Sequence, residues 1–112
     1  MNRNVKNFQP LQDSITAWAD FVFGKERKPE YILQHLKKEI EELIKEPSML
    51  EEYADVGILW LNAAAKAGHN VDDLYFSMVG KMMVNKSRKW GKPDKNGVVE
   101  HLRQDEATDG ER

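Results

Sequence analysis

A chain of 112 residues can hold one domain with a modest core, and Lys+Arg 17 against Asp+Glu 19 leaves a formal charge of −2, so no overall field draws it to nucleic acid or to a membrane surface. The absence of cysteine excludes a disulfide framework, a thiol nucleophile and a thiolate metal site. The N-terminal residues lack the apolar run of a signal peptide, and the longest apolar stretch, around Val56 to Ala65, is interrupted by Gly57 and Asn62 and is too short to span a bilayer. A soluble, cytoplasmic protein with no nucleic-acid or membrane partner is expected.

Residues 1–10 are polar, close on Pro10 and read as an arm ahead of a helical domain over 11–92. Asp13 or Ser14 can cap a first helix whose apolar residues Ile15, Trp18, Phe21 and Val22 recur at helical spacing. Gly24 stops it, Lys25 to Lys28 make a charged connection, and Pro29 suits the first position of a second helix. There Ile32, Leu33, Leu36, Ile40 and Leu43 form one stripe, with Glu39 at its edge and Glu42 beside it, while Glu41 projects away. Pro47 breaks the pattern, and Ser48 to Glu51 reads as a capping box for a third helix. That helix is apolar nearly all round through Val56 to Ala65, which predicts that protein surrounds it and that the chain self-associates. Gly68 ends it, and Asn70 to Asp73 can cap a fourth helix running to about Trp90. A turn at Asn96-Gly97, a C-terminal arm over 93–104 and a disordered tail over 105–112 complete the reading.

The chemistry concentrates between residues 39 and 55. Glu39 and Glu42 stand at i and i+3 on the second helix, and Glu52 and Asp55 repeat that spacing on the third. The two pairs are symmetrical about Pro47, so an antiparallel pair of helices brings Glu42 level with Glu52 and Glu39 level with Asp55. Four carboxylates in one small volume repel unless a cation or a proton neutralises them, and oxygen ligands of this kind suit Mg²⁺ or Mn²⁺. Glu52 and Asp55 are also anomalous within an apolar helix, where a buried carboxylate needs a compensating partner. Lys81, Asn85 and Arg88, at i, i+4 and i+7, share one face of the fourth helix and can grip phosphate oxygens. Trp18 can stack on a base or belong to the core. His35 can orient a metal ligand, and Lys66 can pair with an acid or a phosphate.

Taken in order, these residues resemble the all-α nucleoside triphosphate pyrophosphohydrolases of the MazG-like superfamily. The resemblance rests on Glu39-x-x-Glu42, Glu52-x-x-Asp55 and then Lys81, Asn85 and Arg88. The dATP/dGTP diphosphohydrolase branch of phages and bacteria is the nearest in pattern, through Trp18, Phe23-Gly24, His35-Leu36-x-Lys38-Glu39, Glu52-Tyr-Ala-Asp55-Val56 and Lys81-x-x-x-Asn85-x-x-Arg88-x-Trp90. The resemblance implies an all-α, four-helix MazG-like bundle completed by assembly into a homodimer or homotetramer. It further implies two or more Mg²⁺ per site, Mn²⁺ often substituting, on Glu39, Glu42, Glu52 and Asp55. The implied reaction is water attack on the α-phosphorus of a purine deoxynucleoside triphosphate, giving dNMP and pyrophosphate. Two features depart from the pattern: only residues 43–51 separate the acid pairs, and Asn62 stands where the branch carries an acid. The competing reading is a non-catalytic nucleotide- or partner-binding module, which metal-dependent turnover would exclude. A di-iron bundle needs Glu-x-x-His pairs, and none of His35, His69 and His101 supplies one.

Overall fold

The computed structural model describes residues 8–103. Four helices follow in chain order, α1 (Phe8–Phe23), α2 (Pro29–Lys45), α3 (Leu50–Lys66) and α4 (Val71–Ser87), and no strand forms among the described residues, so the all-α architecture is as expected. The chain divides into two compact units, residues 1–74 and 75–112, with α4 beginning in the first and continuing in the second. No helix of the described residues is long and apolar enough to cross a membrane.

In the first unit α3 is the shared element, packed along α2 and against α1. α1 is already helical at Phe8, the first described residue, so residues 8–10, expected within the arm, belong to the helix and Asp13 and Ser14 do not cap it. Pro10 is tolerated there because the first turn of a helix has no internal partner for its N–H groups. The face that α1 buries also differs from expectation. Gln12 and Ala19, seven residues apart, are buried, whereas Trp18 and Phe21 are 57% and 89% exposed. Ala19 is small enough for α1 to approach closely, and the large aromatics fall one or two hundred degrees around the helix from it. Gln12 is not an orphan in this interior. Its Nε2 donates to the carbonyls of Leu61 at 3.0 Å and His69 at 3.1 Å, tying α1 to both the body and the end of α3. Gly24 takes φ +95°, which a residue with a Cβ adopts only at a cost, and ends α1 where the sequence places the stop.

α2 begins at Pro29 as expected and buries Ile32 and Leu36, leaving Leu33 and Ile40 at the exposed margins of the stripe. The connection to α3 is shorter in its capping than the sequence suggests. Met49, not Ser48, precedes the first helical turn, with no side-chain capping bond, so Glu51 has no capping role and is exposed. The turn is held instead by Met49 N–H donating to the Glu46 carbonyl at 3.1 Å and by the Tyr53 hydroxyl donating to the Pro47 carbonyl at 2.8 Å. α3 buries Leu61, Asn62 and Ala63, while Ile58 and Trp60 reach the surface, so it is not enclosed on all sides in a single copy. At its end Gly68 is at φ +96°, with the Gly68 and His69 N–H groups returning to the Ala65 and Ala64 carbonyls. α4 starts on the expected capping box: Asn70 Oδ1 accepts from the Asp73 N–H at 2.8 Å, and Asp73 Oδ2 accepts from the Asn70 N–H at 3.2 Å.

In the second unit α4 ends at Ser87, three residues before the expected Trp90, and none of its residues is buried. Met82 and Met83, whose apolar side chains would suit a core, are exposed. The segment beyond folds back on itself. Gly91 N–H donates to the Glu100 carbonyl, Leu102 N–H to the Lys89 carbonyl, and Trp90 and His101 form an isolated antiparallel bridge. Asp94 Oδ1 accepts from the N–H groups of Asn96 and Val98, and Gly97 at φ +82° completes the predicted turn. Residues 1–7 of the expected arm and the expected tail over 105–112 lie outside the described residues.

Candidate active site

The site is built on the α2–α3 hairpin. A connection of four residues makes the helices fold back on one another, so acids placed symmetrically about Pro47 meet across the interface. Glu39, Glu52 and Asp55 each offer a carboxylate oxygen, and these oxygens lie within 4.8 Å of one another. That spread is close to the roughly 4 Å between opposite oxygen ligands of a Mg²⁺-sized ion. Glu42, expected as the fourth ligand, is not among these three; it neighbours Glu39 and acts on that carboxyl electrostatically. Glu41 is exposed, as its helical position predicts.

The electrostatics show what such a cluster lacks. The Glu39 carboxyl is pushed above its ordinary range, first by the hydrogen bond to Glu42, then by partial burial and the charges of Glu42 and Asp55. Glu52 is raised as well, first by desolvation and then by Glu42 and Asp55. Glu42 and Asp55 therefore make it harder for Glu39 and Glu52 to ionise, and a divalent cation removes that penalty. Glu52 Oε2 carries the same signal in its geometry, because it is enclosed and has no hydrogen-bond partner. A buried acceptor without a partner is costly, and a hard cation on an all-oxygen donor set satisfies it. The residues present fit a divalent metal.

Beside the acids lies a cavity of about 270 Å³. Glu39 and Asp55 reach its wall from α2 and α3 together with His35 and Asn62, while Trp18 and Phe23 face it from α1. His35 Nε2 stands 3.4 Å from Glu39 Oε1, so it can hold that carboxylate in place. Asn62 is buried, with its Oδ1 at 3.4 Å from the Thr16 hydroxyl. Trp18 is a cavity wall rather than a core residue, packed edge-on against Phe23 at a centroid distance of 5.6 Å. Lys66 is committed elsewhere, pairing with Asp20 at 2.9 Å and donating to the Lys25 carbonyl at 3.0 Å.

Lys81, Asn85 and Arg88 belong to the second unit. Lys81 and Asn85 stand one turn apart on α4, but Arg88 lies just past its end, so the three do not form a continuous helical face. Arg88 is placed instead by the folded-back segment, with Nη1 3.4 Å from His101 Nδ1. Trp90 packs edge-on to His101 and donates Nε1–H to the Asn85 carbonyl at 3.0 Å.

The family model for dATP/dGTP pyrophosphohydrolase matches residues 11–109, nearly the whole chain. The chain belongs to the dATP/dGTP pyrophosphohydrolase family. Among curated relatives, the dATP/dGTP diphosphohydrolase of Salmonella phage PMBT28 is 37% identical over 102 residues. That match covers 89% of this chain and 33% of the relative, so the chain spans about a third of the relative's length. Among solved structures, the MazG-like pyrophosphohydrolase of cyanophage S-2L superposes with a TM-score of 0.70 at 32% identity, covering 84% of this chain and 95% of that one. That protein was solved with dGDP and three catalytic Mn²⁺ ions per active site. The MazG-like bundle implied by the sequence pattern is thus the fold observed.

One residue at the cavity escaped sequence reasoning. Arg27 lines it, stacked on the Phe23 ring at 4.7 Å, with Nη1 buried and without a hydrogen-bond partner. In the sequence it sits in Lys25-Glu-Arg-Lys28, which reads as a solvated connection. The only local hint is an arginine four residues after an aromatic.

Proposed function

We propose that this chain hydrolyses a purine deoxynucleoside triphosphate, dGTP or dATP, to the monophosphate and pyrophosphate by water attack on the α-phosphorus. The observation that carries the reading is the clustering of Glu39, Glu52 and Asp55, two of which, Glu39 and Asp55, line a cavity of about 270 Å³, with Glu52 Oε2 enclosed and unpartnered. The family match, the phage relative and the cyanophage neighbour support it.

Glu39, Glu42, Glu52 and Asp55 would hold Mg²⁺ or Mn²⁺, two or more per site, which supply Lewis-acid polarisation of the phosphate and a more acidic water. The rest of the chemistry falls to side chains. Glu39, oriented by His35, accepts the proton of the attacking water at its carboxylate. Lys81, Asn85 and Arg88 bind phosphate oxygens, Arg88 as a fork and Lys81 as a point charge, and stabilise the departing pyrophosphate. Trp18, on the cavity wall, presents a ring to the base. The chain acts as a homodimer or homotetramer, which covers the apolar side chains that a single copy exposes on α1 and α4. Its setting is the cytoplasm of a bacterium or of a phage-infected cell.

A panel of the eight canonical NTPs and dNTPs with Mg²⁺ or Mn²⁺, with products resolved by chromatography and ³¹P NMR, tests the reaction. Monophosphate and pyrophosphate from dGTP or dATP is the expected result, lost with a chelator. Diphosphate and orthophosphate would place the attack at another phosphorus and overturn the mechanism.

A further inference from the structure

Arg27 stands out among the polar groups of the first unit that the hydrolytic chemistry leaves unused. Its Nη1 is buried and has no hydrogen-bond partner, and no carboxylate of the described residues lies within ion-pair distance of it. An arginine cannot relieve that burial by losing its proton, since its guanidinium stays charged throughout the accessible pH range. A buried donor kept charged and unpaired is costly, and a ligand acceptor removes the cost.

The guanidinium is also held in place. It stacks on Phe23 at 4.7 Å, and Phe23 is braced edge-on by Trp18. The loop that carries it is anchored two residues earlier, where Lys66 donates to the Lys25 carbonyl and pairs with Asp20. Arg27, Phe23 and Trp18 all line the cavity whose other wall includes Glu39 and Asp55. α1 and its following loop therefore give the cavity two flat aromatic rings, one fixed cationic donor and no acid. The acids come from α2 and α3. If the triphosphate is handled with the acids, the aromatic wall is left for the base, and Arg27 meets the edge of that base.

We propose that Arg27 is the specificity-determining residue of this site, donating to the O6 and N7 acceptors of guanine and so favouring dGTP over dATP. The proposal rests on the nucleotide-hydrolysing reading above. Guanine presents two acceptors on that edge, whereas adenine presents N7 beside the N6 amino donor, which an arginine can only repel. A site with a fixed buried donor discriminates because the wrong ligand leaves that donor unpaired.

The test uses the full chain with Mn²⁺ and compares wild type with Arg27→Gln and Arg27→Lys. Turnover is measured on dGTP, dATP and dITP, the last keeping O6 and N7 but lacking the 2-amino group. Equilibrium binding of dGMP and dAMP is measured by calorimetry in parallel. Wild type should prefer dGTP and dITP to dATP, and Arg27→Gln should lower kcat/KM for dGTP and dITP by roughly tenfold relative to that for dATP, whose N6 and N7 a glutamine can itself engage. Arg27→Lys keeps the charge but loses the planar fork, so it should also lose the preference. If Arg27→Gln unfolds, Arg27→Lys with an unchanged melting temperature decides. An equal loss on all three substrates would make Arg27 a phosphate contact and overturn the proposal, as would a wild type without guanine preference. If wild type turns over no nucleotide, the hydrolytic reading fails, and the ratio of dGMP to dAMP affinity in wild type and variants still decides the role of Arg27.

Discussion

α3 and α4 are each 17 residues long and rich in apolar side chains, yet they are used in opposite ways. α3 packs with both α1 and α2 and buries Leu61, Asn62 and Ala63, whereas α4 buries nothing and leaves Met83 70% exposed. The difference matches the chemistry proposed for each. Carboxylates are short, so they share a cation only where packing fixes the backbone that bears them, and Glu52 and Asp55 sit where α3 lies against α2. Lysine and arginine have long stems that find a phosphate from a less constrained helix. Under the proposed self-association, the exposed apolar residues of α4 serve an interface between copies of the chain.

The sharpest way to break this contrast is at Glu52. Glu52→Gln should cut turnover by roughly 10²–10³-fold if the proposed metal site is correct, because it removes the acid whose enclosed oxygen lacks any other partner. Its metal-free melting temperature should not fall, since the substitution relieves repulsion within the cluster. Addition of Mn²⁺ should then produce little of the stabilisation seen in wild type. Full activity in this variant would dismiss the cluster as a metal centre.

A smaller effect separates the two helices as structural elements. Gln12→Ala strips the partner from the carbonyls of Leu61 and His69 and should cost about 2–3 kcal/mol in chemical denaturation, without changing the mass in solution. Met83→Ser on α4 should act in the reverse sense, lowering the mass measured by light scattering towards that of one chain. A monomeric wild type, or a Met83→Ser protein of unchanged mass, would remove α4 from the interface.

What was legible in the sequence was what is written locally. Gly24 and Gly68 mark helix ends because a positive φ is a property of one residue, and Asn70 to Asp73 cap α4 because the reciprocal bonds span three positions. The approach of Glu39 to Glu52 and Asp55 was legible for a related reason, since symmetry about Pro47 needs only a hairpin to become proximity, whereas Glu42 is not in the cluster. The face of α1 was not, because Gln12 is buried by what Leu61 and His69 require, 49 and 57 residues away. Ser48 to Glu51 has the residues of a capping box, but the turn is decided by Tyr53 reaching Pro47, and the helix starts later. Arg27 was hidden for the same reason as Gln12. Nothing in a run of charged residues says which one the fold will enclose.

The smallest expected effect tests the charge balance of the acid cluster directly. Glu39 and Glu52 are both raised from the ordinary value of 4.5 in the folded, metal-free protein. A carboxyl raised on folding binds its proton more tightly in the native state. Its contribution to stability is therefore fully present below the unfolded value and is lost as pH rises through the folded one. Many other carboxylates titrate in the same window, so the informative quantity is the difference between Glu52→Gln and wild type. Without metal the variant should match wild type near the ordinary value of 4.5 and become the more stable of the two as pH approaches neutrality, read as a higher melting temperature. Saturating Mn²⁺ should invert the order at neutral pH, because the cation displaces protons and only wild type keeps the full ligand set. A difference that stays flat with pH would mean that Glu52 is an ordinary solvated acid. The contrast between a helix that fixes charge and a helix that fixes contacts would then lose its electrostatic half.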